Sequence, residues 1–430
     1  MEMTTPFLSD KYYYYWVTPG GRGPVVEWEF ILAQDVDEAA LKRALTCALH
    51  AHTNFRTHSV IVAGRPQHEL MDVDDVPVFA EDGTIRRMGT SDTLGYLFYL
   101  SYQGKRLAIR YFHSVADGRG GLAFMSTVLC CYLSEVGLID YEAPVADSVG
   151  TQPIFERILE RMEGVSPLGK FDPKKHKVFS MPVDRYQTGD TLQRVLEIDI
   201  PLIPLLALSK QSDSSVVPTL QALIGHALRR YFDVGDKTIV AYTSIDTRRV
   251  FGLETGGNGA THFSVPYVAK LDDYDLSERA TILRGALDLQ TLPENIATEI
   301  SRNMAEVAQG EATQYSIETI TTTTADSVLK NSNAIYSYAI SYPGKVSLPH
   351  EVEPFVDEVR TSVSAFNLPF SIEACEYKGT IRMMFTQVFE DAGPVRAISE
   401  EIARVVPGTE FVDRGTHRYD EMRLEDLDHR

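Results

Sequence analysis

The chain has 430 residues, 44% of them hydrophobic and 10% aromatic, which is enough for two or three packed units and too apolar for a disordered or fibrous polymer. Sixty acidic residues against 41 basic ones give a formal net charge of −19, which repels phosphate backbones, and no Lys/Arg run offsets it, so no nucleic-acid partner is expected. Apolar stretches such as residues 201–208 fall far short of the about 20 residues of a membrane span, so no transmembrane segment is expected. Residues 1–10 lack the basic and apolar segments of a secretory leader, which points to the cytoplasm. Four cysteines (Cys47, Cys130, Cys131, Cys375) form no CxxC pair and are too few for a disulfide framework or a cysteine-rich metal site; they read as buried thiols.

Residues 34–56 open with Asp35 and place Glu38 three residues later, the capping-box spacing at a helix start. Leu41, Ala44, Leu45, Ala48 and Leu49 then recur at helical spacing, with Lys42 and Arg43 on the other face. Residues 94–102 and 106–112 are aromatic and aliphatic runs around Gln103-Gly104-Lys105, which predicts a hairpin whose second strand ends at His113. After a Gly-rich turn, Met125, Val128, Leu129, Tyr132, Leu133 and Val136 fall on helical positions, so the order is strand, strand, loop, helix. Residues 148–189, rich in Pro, Gly and Lys with one short helix at 155–162, are the best linker candidate. Beyond them, 219–230, 276–289 and 295–306 read as helices and 239–244 as a buried strand.

Residues 370–377 and 380–389 repeat the hairpin around Lys378-Gly379, and Val395, Ile398, Ile402 and Val405 mark a helix after it. The first loop reads Phe112-His113-Ser114-Val115-Ala116-Asp117-Gly118, whereas the second, Phe389-Glu390-Asp391-Ala392-Gly393-Pro394, has no histidine. We therefore expect two related α/β lobes, residues 1–175 and 176–430, of which only the first is armed. Residues 413–430 mix six acids with four arginines and read as a solvated tail. The aromatic run Tyr12 to Trp16 reads as core or lobe-edge packing, with an acceptor pocket as the alternative.

His113 stands at a strand end, a corner where a rigid sheet presents a side chain to a cleft. Asp117 can hold a tight loop or pair with an arginine, and Gly118, Gly120 and Gly121 permit close backbone approach. His-x-x-x-Asp-Gly on a strand, loop and helix resembles the CoA-dependent acyltransferase superfamily: chloramphenicol acetyltransferase, plant BAHD acyltransferases, peptide-synthetase condensation domains, mycobacterial polyketide-associated acyltransferases and microbial alcohol acetyltransferases. The flanks are most similar to the last group, in Asn54-Phe55-Arg56, Gly95-Tyr96-Leu97-Phe98 and Tyr111-Phe112-His113. Asp246-Thr247-Arg248 with Thr255 and Asn258 resembles its Asp-Leu-Arg and Thr-x-x-Asn segment, and Ser341-Tyr342-Pro343-Gly344 its Ser-Asn-x-Gly turn, so the resemblance spans nearly the whole chain. Two positions depart from the pattern: Phe112 replaces the first histidine of condensation domains, and Tyr342 replaces the asparagine of the turn. The Asp-Phe-Gly-x-Gly motif of the plant group is absent.

The resemblance implies two chloramphenicol-acetyltransferase-like lobes in pseudo-symmetric arrangement with an interlobe tunnel. It implies acyl-CoA as co-substrate, an alcohol or amine acceptor, no permanently bound cofactor and no metal. His113 is the expected general base for direct attack, since a neutral imidazole takes up a hydroxyl proton near pH 7. By the same resemblance Asp117 braces the loop with its carboxylate turned away, beside Gly118. Arg248, Asn258 and Ser341 are the expected substrate or CoA contacts, although Arg248 equally suits neutralising a buried carboxylate. Arg249 and Lys345 are weaker phosphate candidates, and His262 is expected to be structural, with a tunnel wall as the alternative. Ser341 or the backbone N–H groups of Gly118 to Gly121 are candidate oxyanion donors. A carrier-protein-bound donor is less favoured because both partners would be acidic, and a non-catalytic binding protein of the same fold is the remaining alternative.

Overall fold

The computed structural model describes residues 24–62, 65–73, 75–83, 86–143, 154–164, 166, 168–169, 171–183, 192–252, 255–312, 331–366, 368–418 and 428–429. The aromatic run at 12–16 and part of the expected linker lie outside them. The strands of the first half are Val25–Leu32 (β1), Thr57–Val62 (β2), Arg65–Leu70 (β3), Val78–Ala80 (β4), Phe98–Gln103 (β5) and Arg106–Phe112 (β6). Those of the second are Leu192–Pro201 (β7), Ile239–Asp246 (β8), Ala260–Tyr267 (β9), Tyr338–Ser341 (β10), Val356–Val363 (β11), Phe370–Tyr377 (β12), Thr380–Gln387 (β13), Glu410–Arg418 (β14) and Asp428–His429 (β15).

Five strands form one sheet in the order β11-β1-β6-β5-β4, and seven form another in the order β14-β7-β13-β12-β10-β8-β9. β15, β2 and β3 make a small third sheet. The two large sheets share a plan. In each, a central strand (β1 or β7) has antiparallel neighbours on both sides, an antiparallel hairpin follows (β6 with β5, or β13 with β12), and a short parallel strand (β4 or β10) comes next. Each hairpin feeds a helix, Gly118–Glu135 or Gly393–Val405. The repeat expected from the two hairpins is thus present in the topology, and the fold is a mixed α/β pair of lobes.

Each lobe has its own core. β1 alternates, burying Trp28, Phe30 and Leu32 and turning Glu27 and Glu29 to the other face. Helices Glu38–Ala51 (α1) and Gly118–Glu135 (α2) pack on each other over this sheet. The first cap differs from the expected one: Asp37, not Asp35, accepts from the Ala40 N–H at 2.7 Å, while Glu38 sits inside the first turn and takes the Tyr102 hydroxyl and Lys42 as partners. Asp35 stands two residues ahead of the capping position that Asp37 occupies. The second core joins its sheet to Val216–Tyr231, Leu276–Gln290 and Gly393–Val405. Among the described residues no helix is long and apolar enough to cross a membrane.

Two features depart from a division at residue 175. β11, far along the second segment, pairs with β1 and completes the first sheet while also packing on β12, so the second lobe reaches into the first. The expected solvated tail begins inside β14: Glu410 to Arg418 pair with β7, and Arg414 donates from Nε and Nη2 to the buried Glu197 at 2.9 and 2.8 Å. Of the charges that suggested solvation, Arg414 is instead paired with a buried carboxylate. Residues 419–427 and 430 are outside the described residues.

Candidate active site

β6 ends at Phe112, and the His113 N–H donates to the Pro24 carbonyl at 2.8 Å, which fixes the histidine at the point where the chain leaves the sheet. His113 faces a cavity of about 430 Å³ lined from both lobes. The same wall holds Asp117, Gly118, Arg248, Asn258 and Ser341, so the motif residues of the two halves converge on one space. Burial holds the imidazole below its ordinary value of 6.5, outweighing its own main chain and the charge of Asp117, which both favour the protonated ring.

Asp117 caps α2, accepting from the Gly120 N–H at 2.9 Å, and its second oxygen accepts from the Gly259 N–H at 2.8 Å. Arg248, just inside the short helix Thr247–Phe251, donates to both carboxylate oxygens at 2.7 and 3.1 Å. Burial pushes the Asp117 carboxyl up, but the Arg248 charge and these hydrogen bonds outweigh it and hold the group below its ordinary value. The other Arg248 donors go to Asp246 at 3.1 Å and to the Thr255 and Gly257 carbonyls at 3.0 and 2.6 Å. A guanidinium has five N–H donors. All five are used, so Arg248, expected at substrate or CoA, instead neutralises Asp117, and its partners leave no donor for a phosphate.

The rest of the loop is equally constrained. A Cβ on Gly120 would lie 2.3 Å from the Gly256 carbonyl oxygen, so the two backbones touch where only glycine fits. The Asn54 amide bridges the Val115 and Gly256 carbonyls at 3.1 Å each, tying the loop to the opposite lobe. Trp28 Nε1 donates to the Gly118 carbonyl at 3.1 Å, and Arg119 pairs with Asp246 at 2.9 Å and donates to the Pro343 carbonyl. The roles of Trp28 and Gly256 were not read from the sequence; the Trp-x-Phe alternation of β1 and the Gly256-Gly257 pair were the available signals.

Of the candidate oxyanion donors, the Gly120 and Gly121 N–H groups are taken by the Asp117 side chain and carbonyl. The Ser341 hydroxyl remains on the cavity wall and donates to Glu373 Oε1 at 2.8 Å. Asn258 lines the cavity with its Oδ1 accepting from the Ala260 N–H at 3.2 Å, and Tyr342 lines it with a phenol that burial pushes up to about 12. His262 also lines the cavity, stacked 4.0 Å from the ring of Tyr242 with its Nε2 3.7 Å from Glu299. Arg249 is exposed at the cavity margin, whereas Lys345 bridges in the sheet to Glu376 away from it.

No protein-family model and no curated sequence matches the chain. Solved structures do match it over nearly the whole length. Polyketide synthase associated protein 5 from Mycobacterium tuberculosis is 15% identical with a TM-score of 0.63, the match covering 94% of this chain and 97% of that one. The epimerization domain from the third module of tyrocidine synthetase B is 11% identical with a TM-score of 0.58, covering 94% and 96%. TRI101 of F. sporotrichioides, solved with coenzyme A and T-2, is 11% identical with a TM-score of 0.57, covering 93% and 98%. The chain therefore has the two-lobed chloramphenicol-acetyltransferase-like fold of these proteins.

Proposed function

We propose that the protein is an acyltransferase that moves an acyl group from acyl-CoA to an alcohol or amine acceptor, with His113 as general base. The observation that carries this reading is the His113 ring, kept neutral by burial and held at a strand end in a cavity lined from both lobes. The acceptor O–H or N–H bond breaks as its proton passes to the neutral His113 imidazole, and the new bond forms to the thioester carbonyl carbon. Collapse of the tetrahedral intermediate breaks the C–S bond, and the imidazolium returns its proton to the departing sulfur, so His113 ends neutral. General-base assistance of this kind contributes about 10²–10⁴-fold.

Asp117 and Arg248 act at one remove by setting the loop, and Ser341 is the side-chain donor for the developing oxyanion. Asn258 and Tyr342 are further wall residues of the same cavity. The net charge of −19 disfavours an acidic carrier protein as donor. The test is incubation of the purified protein with acetyl-CoA and a panel of alcohols and amines while free thiol is followed. Acceptor-dependent thiol release with an acylated product supports the reading; release with no acceptor or none at all, across short and long acyl chains, defeats it.

A further inference from the structure

Glu373 is a carboxyl in the wall of this cavity, 6% exposed, that no step above uses. It is held by sheet register: β10 and β12 run parallel with Ser341 opposite Glu373, and the Ser341 hydroxyl donates to Oε1 at 2.8 Å. Oε1 lies 3.8 Å from the point where a Cβ on Gly118 would stand, and the Pro343 and Trp28 rings are 3.8 and 4.0 Å from that point. The carboxyl is therefore packed against the glycine of the histidine loop. The titratable groups around it are Asp117 at the start of α2, Tyr111 on β6, Cys375 on its own strand and His113 on the cavity wall. Arg248 is committed to Asp117, and among the described residues no lysine or arginine is ion-paired with Glu373.

A serine hydroxyl has one hydrogen to give. While Glu373 is ionised, that hydrogen belongs to Oε1 and Ser341 turns only lone pairs to the cavity. Once Glu373 carries a proton, the carboxylic acid can donate to Ser341 Oγ, and the serine hydrogen is free for another acceptor. We propose that Glu373 is a positioning residue of the acyl-transfer site: as a neutral acid it donates a hydrogen bond to Ser341 Oγ and so turns the serine hydrogen toward the thioester carbonyl, making Ser341 the oxyanion donor. The proton stays on Glu373 throughout, and no bond to it breaks in the reaction. The inference rests on the acyl-transfer reading above. Burial, with the charge of Asp117 adding to it and the Ser341 hydrogen bond opposing, pushes the Glu373 carboxyl up to about 8, so the neutral acid prevails at pH 7.

The test is the pH dependence of kcat, from about pH 6 to about pH 10, for the wild type, Glu373→Gln and Ser341→Ala with acetyl-CoA and the best acceptor. The amide in Glu373→Gln donates to Ser341 Oγ at every pH. The wild-type rate should fall above about pH 8, approaching tenfold per unit, with the midpoint set by the carboxyl. Glu373→Gln should stay within about threefold of the wild type at pH 7 and lose the alkaline fall. Ser341→Ala should be lower by about 10²–10³-fold and equally level. An alkaline fall that persists unchanged in Glu373→Gln overturns the proposal, and so does one that persists in Ser341→Ala should the first variant fail to fold. Infrared difference spectra against Glu373→Gln read the carboxyl without turnover: a protonated C=O band at pH 7 is expected, and its absence overturns the proposal. A wild type that shows the band but no acceptor-dependent thiol release strikes the acyl-transfer reading instead.

Discussion

Asp117 and Arg248, 131 positions apart, meet in a two-pronged ion pair, with Nη1 on Oδ2 at 2.7 Å and Nη2 on Oδ1 at 3.1 Å, and through it the histidine loop of one lobe is held by the other. Both groups are nearly buried, with side chains 6% and 11% exposed, so removing either strands a charge in a poorly solvated place.

Asp117→Ala and Arg248→Ala should each cost about 3–5 kcal/mol of folding stability, and the double variant should cost less than the sum because the pair is lost only once. Denaturant unfolding of the four proteins measures the coupling. Since the Asp117 carboxyl is held below its ordinary value of 3.8, its contribution is present above about pH 3.8 and is lost as pH falls through the folded value; Asp117→Asn should lose that acid sensitivity. An Arg248→Ala protein of unchanged melting temperature but raised KM for acyl-CoA would return Arg248 to a phosphate-binding role.

Gly120→Ala should be damaging out of proportion to one methyl group. The new Cβ would meet the Gly256 carbonyl oxygen at 2.3 Å, and that partner is backbone, so the loop or the opposite lobe has to shift. A loss of about 1–3 kcal/mol is expected, together with reduced turnover because the shift displaces the loop after His113. A variant with wild-type melting temperature would show that the two backbones are farther apart than this structure places them.

The C-terminal strand gives a third test. Glu197 is 1% exposed and is served by Arg414 and by Arg360 Nε at 3.1 Å; burial pushes its carboxyl up, but the two arginines override that and hold it low. Arg414→Ala leaves Arg360 in place and should cost about 1–2 kcal/mol by chemical unfolding. Truncation after Arg414, which the charged sequence suggested would be harmless, removes the pairing of Thr416 to Arg418 with β7 and should lower stability measurably.

What could be read from the sequence was local. The two hairpins, their helices and the His113 loop announce themselves through alternation, turn glycines and helical spacing, all within about 40 residues. β11 joins β1 across some 330 residues, and nothing in Val356–Val363 names that partner. The same distance problem left Arg248 undecided, because its role depends on an aspartate in the other lobe. Glu373 is one of two acids in the strand Phe370–Tyr377, with Glu376, and its burial has no local signature because strand glutamates usually face water.

The acid side of the rate profile should follow His113. Burial lowers its proton affinity, so the neutral base persists below the ordinary value of 6.5, and kcat should begin to decline only below that value. A decline beginning above pH 7 would mean that another group limits the reaction. The thiols should not contribute: Cys375, pushed up to about 12, and Cys130, to about 11, are poor nucleophiles at neutral pH, so a folded variant with all four cysteines changed to serine should keep its turnover.

The most direct measurement is turnover of His113→Ala with acetyl-CoA and the best acceptor, alongside acyl-CoA binding and the melting temperature. His113 faces the cavity, so binding and melting should change little while kcat falls by about 10²–10⁴-fold. A folded His113→Ala protein that binds acyl-CoA and turns over at nearly the wild-type rate would contradict the assignment of His113 as the base.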